Sequence, residues 1–345
     1  MKKLYLVLFA AFPVFISNTV HAQDYDNPVE YMNVISKQRE SVSKKFMTYV
    51  SASAHGKREK KVESLRSKLL DEVQEARMNI NAMPSFKGDK SFRDTAVNFM
   101  KLYYNVLNED YSKIINMEEI AEQSYDAMEA YLMAQEQVDK KLEEGNGKMR
   151  LALQAFAAKN NVTLTTNKTE LGEMMEQVHV MNVYHHQLYL IFFKPYKQEA
   201  YLMEAVEKNN VTGIEQNKSS LLKYAQSGLE KLTGIKPFEG DNSVVVACRS
   251  MLNFYVKEVN EKLGAISDYL LTKERFETIK KEFDKKSSPS KEEIDTFNKG
   301  VNDINKASQN YNATSQELNQ LRKEALDNWN KTVNAFFDEH TPHYK

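Results

Sequence analysis

Two segments of this 345-residue chain repeat one another, and this repeat limits the possible folds more than any other feature. Residues 86–114 align with residues 238–266 at a constant offset of 152, with eight identities in 29 positions. Both segments open with Phe-x-Gly-Asp-x-Ser, in which Gly supplies a turn and Asp and Ser cap the free amides of a following helix. We therefore predict an internal duplication, in which one helical bundle occurs twice.

Further matches extend the repeat upstream of this motif. Residues 69–70 pair with residues 221–222 at the same offset, and residues 31–34 resemble residues 180–183 at an offset of 149. The small difference in offset belongs in the intervening loop. A period of this length exceeds the roughly 20 to 50 residues of a solenoid repeat, so the repeated unit is a whole bundle.

Almost every segment between turn signals has apolar residues at the three-and-four spacing of an amphipathic helix. The triplet Gly145-Asn146-Gly147 predicts a break between two helices. Residues 291–338 contain neither proline nor an apolar gap, which predicts one C-terminal helix of roughly 70 Å. A kink near Gly300 or Asn312 is the alternative for that segment.

Residues that make turns are scarce, with 11 Gly and 7 Pro in the whole chain, and a many-stranded sheet protein needs more of them. The predicted fold is therefore all-α, with two tandem related helical bundles at residues 23–168 and 169–345 and a long C-terminal helix. The chain has 47 Lys and Arg against 48 Asp and Glu, a balance that gives no reason to expect nucleic acid as a partner.

The first 22 residues have the three parts of a secretory signal peptide. Lys2 and Lys3 precede an apolar run at residues 4–16, and Val20-His21-Ala22 places small residues at the cleavage positions. A membrane anchor is the alternative, but Pro13 interrupts a run shorter than the ~18 residues that a spanning helix needs. We expect an exported protein without a transmembrane segment after signal removal, located in the periplasm, in the medium or on the cell surface.

A metal site is one candidate for chemistry in the second half. Glu176 and His179 have the Glu-x-x-His spacing that places two metal ligands on one helical face. His185 and His186 are adjacent and therefore point in different directions. The competing interpretation is that these are surface histidines with one chance spacing.

Aromatic residues supply the second candidate. The segment from Tyr184 to Tyr196 is apolar on all sides, which predicts either a central core helix or the wall of an apolar ligand cleft between the bundles. A further possibility is a recognition patch formed by Tyr103, Tyr104 and Tyr111 with Tyr255. The candidate ligand-binding residues are Tyr189, Phe192, Phe193, Tyr196, Tyr103 and Tyr255.

Motifs for catalysis are missing from the sequence. It contains no Gly-x-Ser-x-Gly nucleophile elbow and no Gly-rich phosphate loop, and we expect neither catalytic residues nor a cofactor. The sequence favours a non-enzymatic binding or structural protein of the bacterial cell envelope, with a protein or glycan as partner. The alternatives are a carrier of a small apolar ligand and a metal-binding protein that uses Glu176 and His179.

The stretch Asp26-Asn27-Pro28-Val29-Glu30-Tyr31-Met32 follows the signal peptide directly, and helices follow throughout. In this respect the chain resembles a family of exported helical bacterial proteins described as surface or secreted proteins of unknown function. The resemblance covers the mature chain and implies an envelope or extracellular setting. It supplies no catalytic residues.

Overall fold

A computed structural model describes residues 26–110, 121–165 and 169–345. The all-α prediction is confirmed, since these residues form no β-strand and their β-type pairing is limited to two isolated bridges. The predicted signal peptide lies outside the described residues. None of the helices in the described ranges is both long and apolar enough to cross a membrane.

The first half of the chain contains helices and one π-helical turn, here π1, with these bounds: α1 Pro28–Ala54, α2 Glu59–Ala82, α3 Ser91–Asn105, π1 Val106–Asp110 and α4 Tyr125–Lys159. The second half contains helices and a second π-helical turn, π2, with these bounds: α5 Glu170–Glu207, α6 Val211–Lys231, α7 Ser243–Lys257, π2 Glu258–Lys262, α8 Leu263–Asp284 and α9 Lys291–His340.

Polar side chains begin several of these helices. The Val29 amide donates to Asn27 Oδ1 at 2.9 Å, at the start of α1. The Ala127 amide donates in the same way to the Ser124 hydroxyl before α4, at 3.1 Å. These side chains satisfy amides that have no partner within the first helical turn, so the helix starts follow from local sequence.

The chain divides into two compact units, and the division differs from the predicted boundary at 168/169. The first unit comprises the described residues up to His186 together with residues 335–345, and the second comprises residues 187–334. Two long helices, α5 and α9, therefore each contribute residues to both units. Both chain crossings between the units lie inside helices, and the predicted bundle boundary at 168/169 stays a prediction.

In the first unit, α1 packs on α2, α2 on α3 and α3 on α4. Four buried aromatic rings form the centre of this bundle, with centroids 5.1 to 5.5 Å apart in the contacting pairs. They belong to Tyr31, Phe86, Phe92 and Phe156. The Tyr31 hydroxyl donates to the Pro84 carbonyl at 2.8 Å, which lets a polar group sit at the edge of the core.

The turn before α3 and the turn before α7 have the same structure. Asp89 and Asp241 each accept a hydrogen bond from the backbone amide two residues later, at 2.8 and 2.7 Å. The glycine before each aspartate has a positive φ, 83° and 92°, a conformation that glycine adopts without steric cost. The repeated Phe-x-Gly-Asp-x-Ser motif therefore encodes one turn twice.

The elements around these turns also recur at the offset of 152. Helices α2 and α6 begin at 59 and 211, and α3 and α7 are both 15 residues long. Each of the latter two helices continues into a five-residue π-helical turn, π1 or π2. These matches agree with the predicted duplication, and a common origin of the two segments stays a prediction.

The predicted break at Gly145-Asn146-Gly147 is wrong, because α4 runs without interruption from Tyr125 to Lys159. A Cβ atom on Gly145 would lie 2.6 Å from Leu102 Cδ2 and 3.2 Å from Phe99 Cδ2. The glycine thus allows α3 to approach α4 closely, and it marks a packing contact between helices.

The predicted C-terminal helix is confirmed, since α9 spans 50 residues from Lys291 to His340. Neither Gly300 nor Asn312 interrupts it. Gly300 is buried, and a Cβ atom there would lie 3.1 Å from the Phe276 ring.

Candidate functional site

The aromatic segment of α5 is a packed part of the second unit. Tyr189, Phe192 and Phe193 are buried, and Tyr196 is about a third exposed. Phe192 stacks on Trp329 with ring centroids 4.2 Å apart and planes 13° from parallel. Such packing is what the core-helix alternative predicts for this segment, and the ligand-cleft alternative stays a prediction.

Tyr103 and Tyr255, the other two candidate binding residues, lie inside their units with exposures of 2% and 0%. Burial raises the pKa of the Tyr103 phenol above its usual range. The burial of these two rings does not fit a surface recognition patch, and Tyr111 of the predicted patch lies outside the described residues.

The two predicted metal ligands differ in environment. Glu176 is exposed, whereas His179 is half-buried on the same helix. Within the described ranges, they belong to no group of three potential ligands. His186 is buried, and its pKa falls to about 4 because of desolvation and, secondarily, the charge of His179. The metal-binding hypothesis therefore stays a prediction.

A buried cluster of charged side chains, which the sequence analysis missed, lies in the second unit. Arg322 in α9 donates from Nε to Glu199 Oε1 in α5 at 2.5 Å. It also donates from Nη2 to Glu258 Oε1, at the start of π2, at 2.8 Å. Glu199 and Glu258 are 4% and 0% exposed. We call Glu199, Glu258 and Arg322, with the adjacent Tyr255, the acid-pair cluster.

The electrostatics of the acid-pair cluster follow from two carboxyl groups that share one arginine. Burial, and then the negative charge of Glu199, raises the pKa of the Glu258 carboxyl to about 8. Burial also raises the pKa of Glu199, and the charge of Arg322 opposes that shift. Since a single positive charge balances only one carboxylate, the pair retains one proton near neutral pH.

This arrangement connects three helical elements, α5, π2 and α9. Its two carboxyl groups share one proton. Arg322 is oriented by two further contacts, from Nη1 to Asn319 Oδ1 at 2.7 Å and from Nη2 to Met203 Sδ at 3.6 Å. The proton is held away from solvent, because both carboxyl groups are buried. Chemically, the cluster can bind or release a proton and thereby strengthen or weaken the contact between α5, π2 and α9.

One signal in the sequence could have revealed the cluster. At the offset of 152, Glu258 corresponds to Val106, which is fully buried in the first unit. An acidic residue at a repeat position that is apolar in the other copy indicates a specific role. The first unit has desolvated charges elsewhere, since burial lowers the pKa of Arg39 in α1 to about 10 and raises the pKa of Asp139 in α4 to about 8. At this position the first unit thus has a matching π-helical turn with valine in place of the acid.

A second candidate region is the distal part of the α8–α9 hairpin, defined as residues 271–284 and 291–313. Among the residues of this region, all of which the structure describes, Gly300 alone is buried. The rings of Phe283 and Phe297 stack with their centroids 4.4 Å apart. Tyr269, two residues before the region begins, stacks on Tyr311 with a centroid distance of 4.6 Å. The contacts on each helix are 14 residues apart, or two heptads, which is the register of an antiparallel coiled coil.

A groove of about 820 Å³ runs along this hairpin. The apolar side chains of Phe276 and Ile279 contribute to its lining. Charges of both signs also line it, from Asp268, Arg275, Asp303 and Lys306. The surface is therefore suited to contacts with a polar partner that also presents some apolar area.

Comparison of the chain with protein-family models, with curated proteins and with solved structures found no match. The resemblance to exported helical surface proteins therefore stays a prediction.

Proposed function

We propose that the protein is an exported, non-enzymatic binding or structural protein of the bacterial cell envelope, and that the α8–α9 hairpin contacts its partner. The observation that supports this proposal most is the exposure of the hairpin, whose two helices pack on each other over residues 271–284 and 291–313. A helix pair with one buried seam leaves its remaining faces available for contacts.

The dimensions of the hairpin are adequate for specific recognition. At 1.5 Å per residue, the 14 residues of α8 and the 23 residues of α9 extend over roughly 20 and 35 Å. A standard protein interface buries about 800 Å² on each partner. Leu271 and Ile294 add exposed apolar area at 45% and 41% exposure, and the mixed charges of the groove supply the polar contacts.

The non-enzymatic part of the proposal rests on the sequence, which has no motif for nucleophilic or phosphate chemistry. The buried acid-pair cluster is consistent with it, because general acid–base catalysis requires the acid to reach the substrate. The partner is a protein or a glycan of the envelope. The exported location rests on the signal peptide, residues 1–22.

Site-specific photo-crosslinking in cells of the natural host tests the hairpin directly. A photoreactive residue is placed at Leu271 or Ile294, with matched exposed positions Met78 and Val246 as controls (59% and 55% exposed). We expect discrete cross-linked species from the hairpin positions and none from the controls. Equal cross-linking from the controls, or none from the hairpin, would contradict the proposal.

Cell fractionation with N-terminal sequencing tests the location. The expected result is a chain that starts at Gln23 in the periplasm, in the medium or on the cell surface. A cytoplasmic chain that retains residues 1–22 would refute export and leave the hairpin test unaffected.

A further inference from the structure

In α9, the acid-pair cluster lies between two buried apolar side chains. Leu318 lies one helical turn before Arg322, and Trp329 lies two turns after it, with exposures of 2% and 0%. Arg322 is thus the charged contact between two apolar anchors of this helix. Its partners Glu199 and Glu258 are 123 and 64 residues away in the chain, so the contact joins α9 to two distant elements.

We propose that the acid-pair cluster is a proton-controlled lock, which holds α9 against α5 and π2 while the two carboxyl groups share a proton and loosens when that proton leaves. Five titratable side chains face one another here. They are Glu199 and Tyr196 on α5, Tyr255 on α7, Glu258 on π2 and Arg322 on α9.

The charge balance determines that loss of the proton weakens the contact of α9 with α5 and π2. With one proton on the pair, one carboxylate and the guanidinium of Arg322 neutralise each other. Loss of the proton leaves a second carboxylate in a buried site beside the first, where desolvation and like-charge repulsion both oppose it. Burial, and then the negative charges of Glu199 and Glu258, raise the pKa of the Tyr255 phenol, so the phenol stays neutral and adds no further negative charge.

The sign of the pH dependence follows from linkage. The folded-state pKa of Glu258, about 8, lies above the ordinary value of 4.5. The stabilisation is therefore fully present below about pH 4.5 and is lost as the pH rises through about 8. This is opposite to the effect of an ordinary ion-paired carboxylate, whose stabilisation is lost in acid.

Comparison with the first unit indicates that the π-helical turn forms without an acidic residue at the position of Glu258. Val106 occupies the position of Glu258, at the start of π1, and is fully buried. The π-helical turn therefore forms with or without an acid at its first residue. A buried ion pair is weak evidence for added stability, since an apolar residue often packs as well. Compared with valine, Glu258 makes the stability of this contact depend on pH.

Hydrogen–deuterium exchange on the mature chain between pH 5.5 and 8.5 tests the lock. Exchange rates of peptides covering residues 315–330 are corrected for the intrinsic effect of pH. In the wild type we expect protection to fall by up to about tenfold per pH unit and to level off above about pH 8, because opening releases one proton. In Glu258→Gln, which is permanently neutral, protection should not change with pH.

The matched control is Glu317→Gln, an exposed glutamate of α9 that pairs with Lys262 at 2.7 Å. It should retain the pH dependence of the wild type. If Glu258→Gln does not fold, Glu258→Val provides the same test, because valine fills the matching position of the first unit. Flat protection in the wild type, or an equal fall in a neutral Glu258 variant, would overturn the proposal whatever the hairpin cross-links show.

Discussion

Phe192→Ala is the sharpest test of how the second unit is held together. The Phe192 ring is 4% exposed and stacks on Trp329, which is fully buried and is the single tryptophan of the chain. Truncation of a buried phenylalanine to alanine typically costs about 3 to 5 kcal/mol, because the transfer free energy of the ring is lost and a cavity remains. We expect a loss of this size.

The expected change in melting temperature follows from the size of the unit. Residues 187–334 form the second unit, and for a domain of this size each kcal/mol corresponds to roughly 2 to 4 °C. The melting temperature of the second unit should therefore fall by about 10 °C. The fluorescence of Trp329 reports this transition selectively, and circular dichroism at 222 nm reports the helices of both units.

Tyr196→Ala is the matched control, since this ring lies on the same segment and is 36% exposed. Its truncation should lower the melting temperature of the second unit by a few degrees at most. The reasoning is refuted if Phe192→Ala leaves the Trp329 transition within about 2 °C of the wild type. That result would mean that the Phe192 ring is dispensable for packing, as it would be at the wall of an empty ligand cleft.

Two further substitutions and one chemical test probe other contacts. Gly145→Ala should lower the free energy of unfolding by about 1 to 3 kcal/mol in urea titrations, because the new methyl group would overlap Leu102. Gly147→Ala has open space around it and should be neutral or slightly stabilising; equal effects at the two glycines would exclude the close-packing explanation. Cys248 should not react with a thiol reagent until urea unfolds the protein, since burial raises its thiol pKa to about 12, and rapid labelling of the native chain would contradict its burial.

Local features were readable from the sequence. The start of α1 at Pro28 and the turn before each repeated helix follow from side chains that cap nearby amides. The length of α9 follows from an apolar seam without proline. These features depend on residues within a few positions of one another, so their cause is visible in a short stretch of chain.

Glycine was harder to interpret from sequence. Gly145 predicted a break because glycine weakens a helix, yet its backbone is helical and its missing side chain makes room for Leu102, 43 residues earlier in the chain. Propensity reports the cost of glycine in a helix but carries no information on which neighbour approaches it. The neighbour is known once α3 and α4 are packed together.

The helical fold, the long unbroken α9 and the turn that occurs twice at an offset of 152 could all be predicted from the sequence. Which charges are buried depends on how the helices pack. Glu199 and Arg322 lie in helices with several exposed charges, and Glu258 directly follows the exposed Lys257, so each resembles an ordinary solvated residue when its segment is considered alone. Packing removes them from water together, and the pKa shift arises from that shared burial, because the cost of a buried charge depends on the groups that surround it.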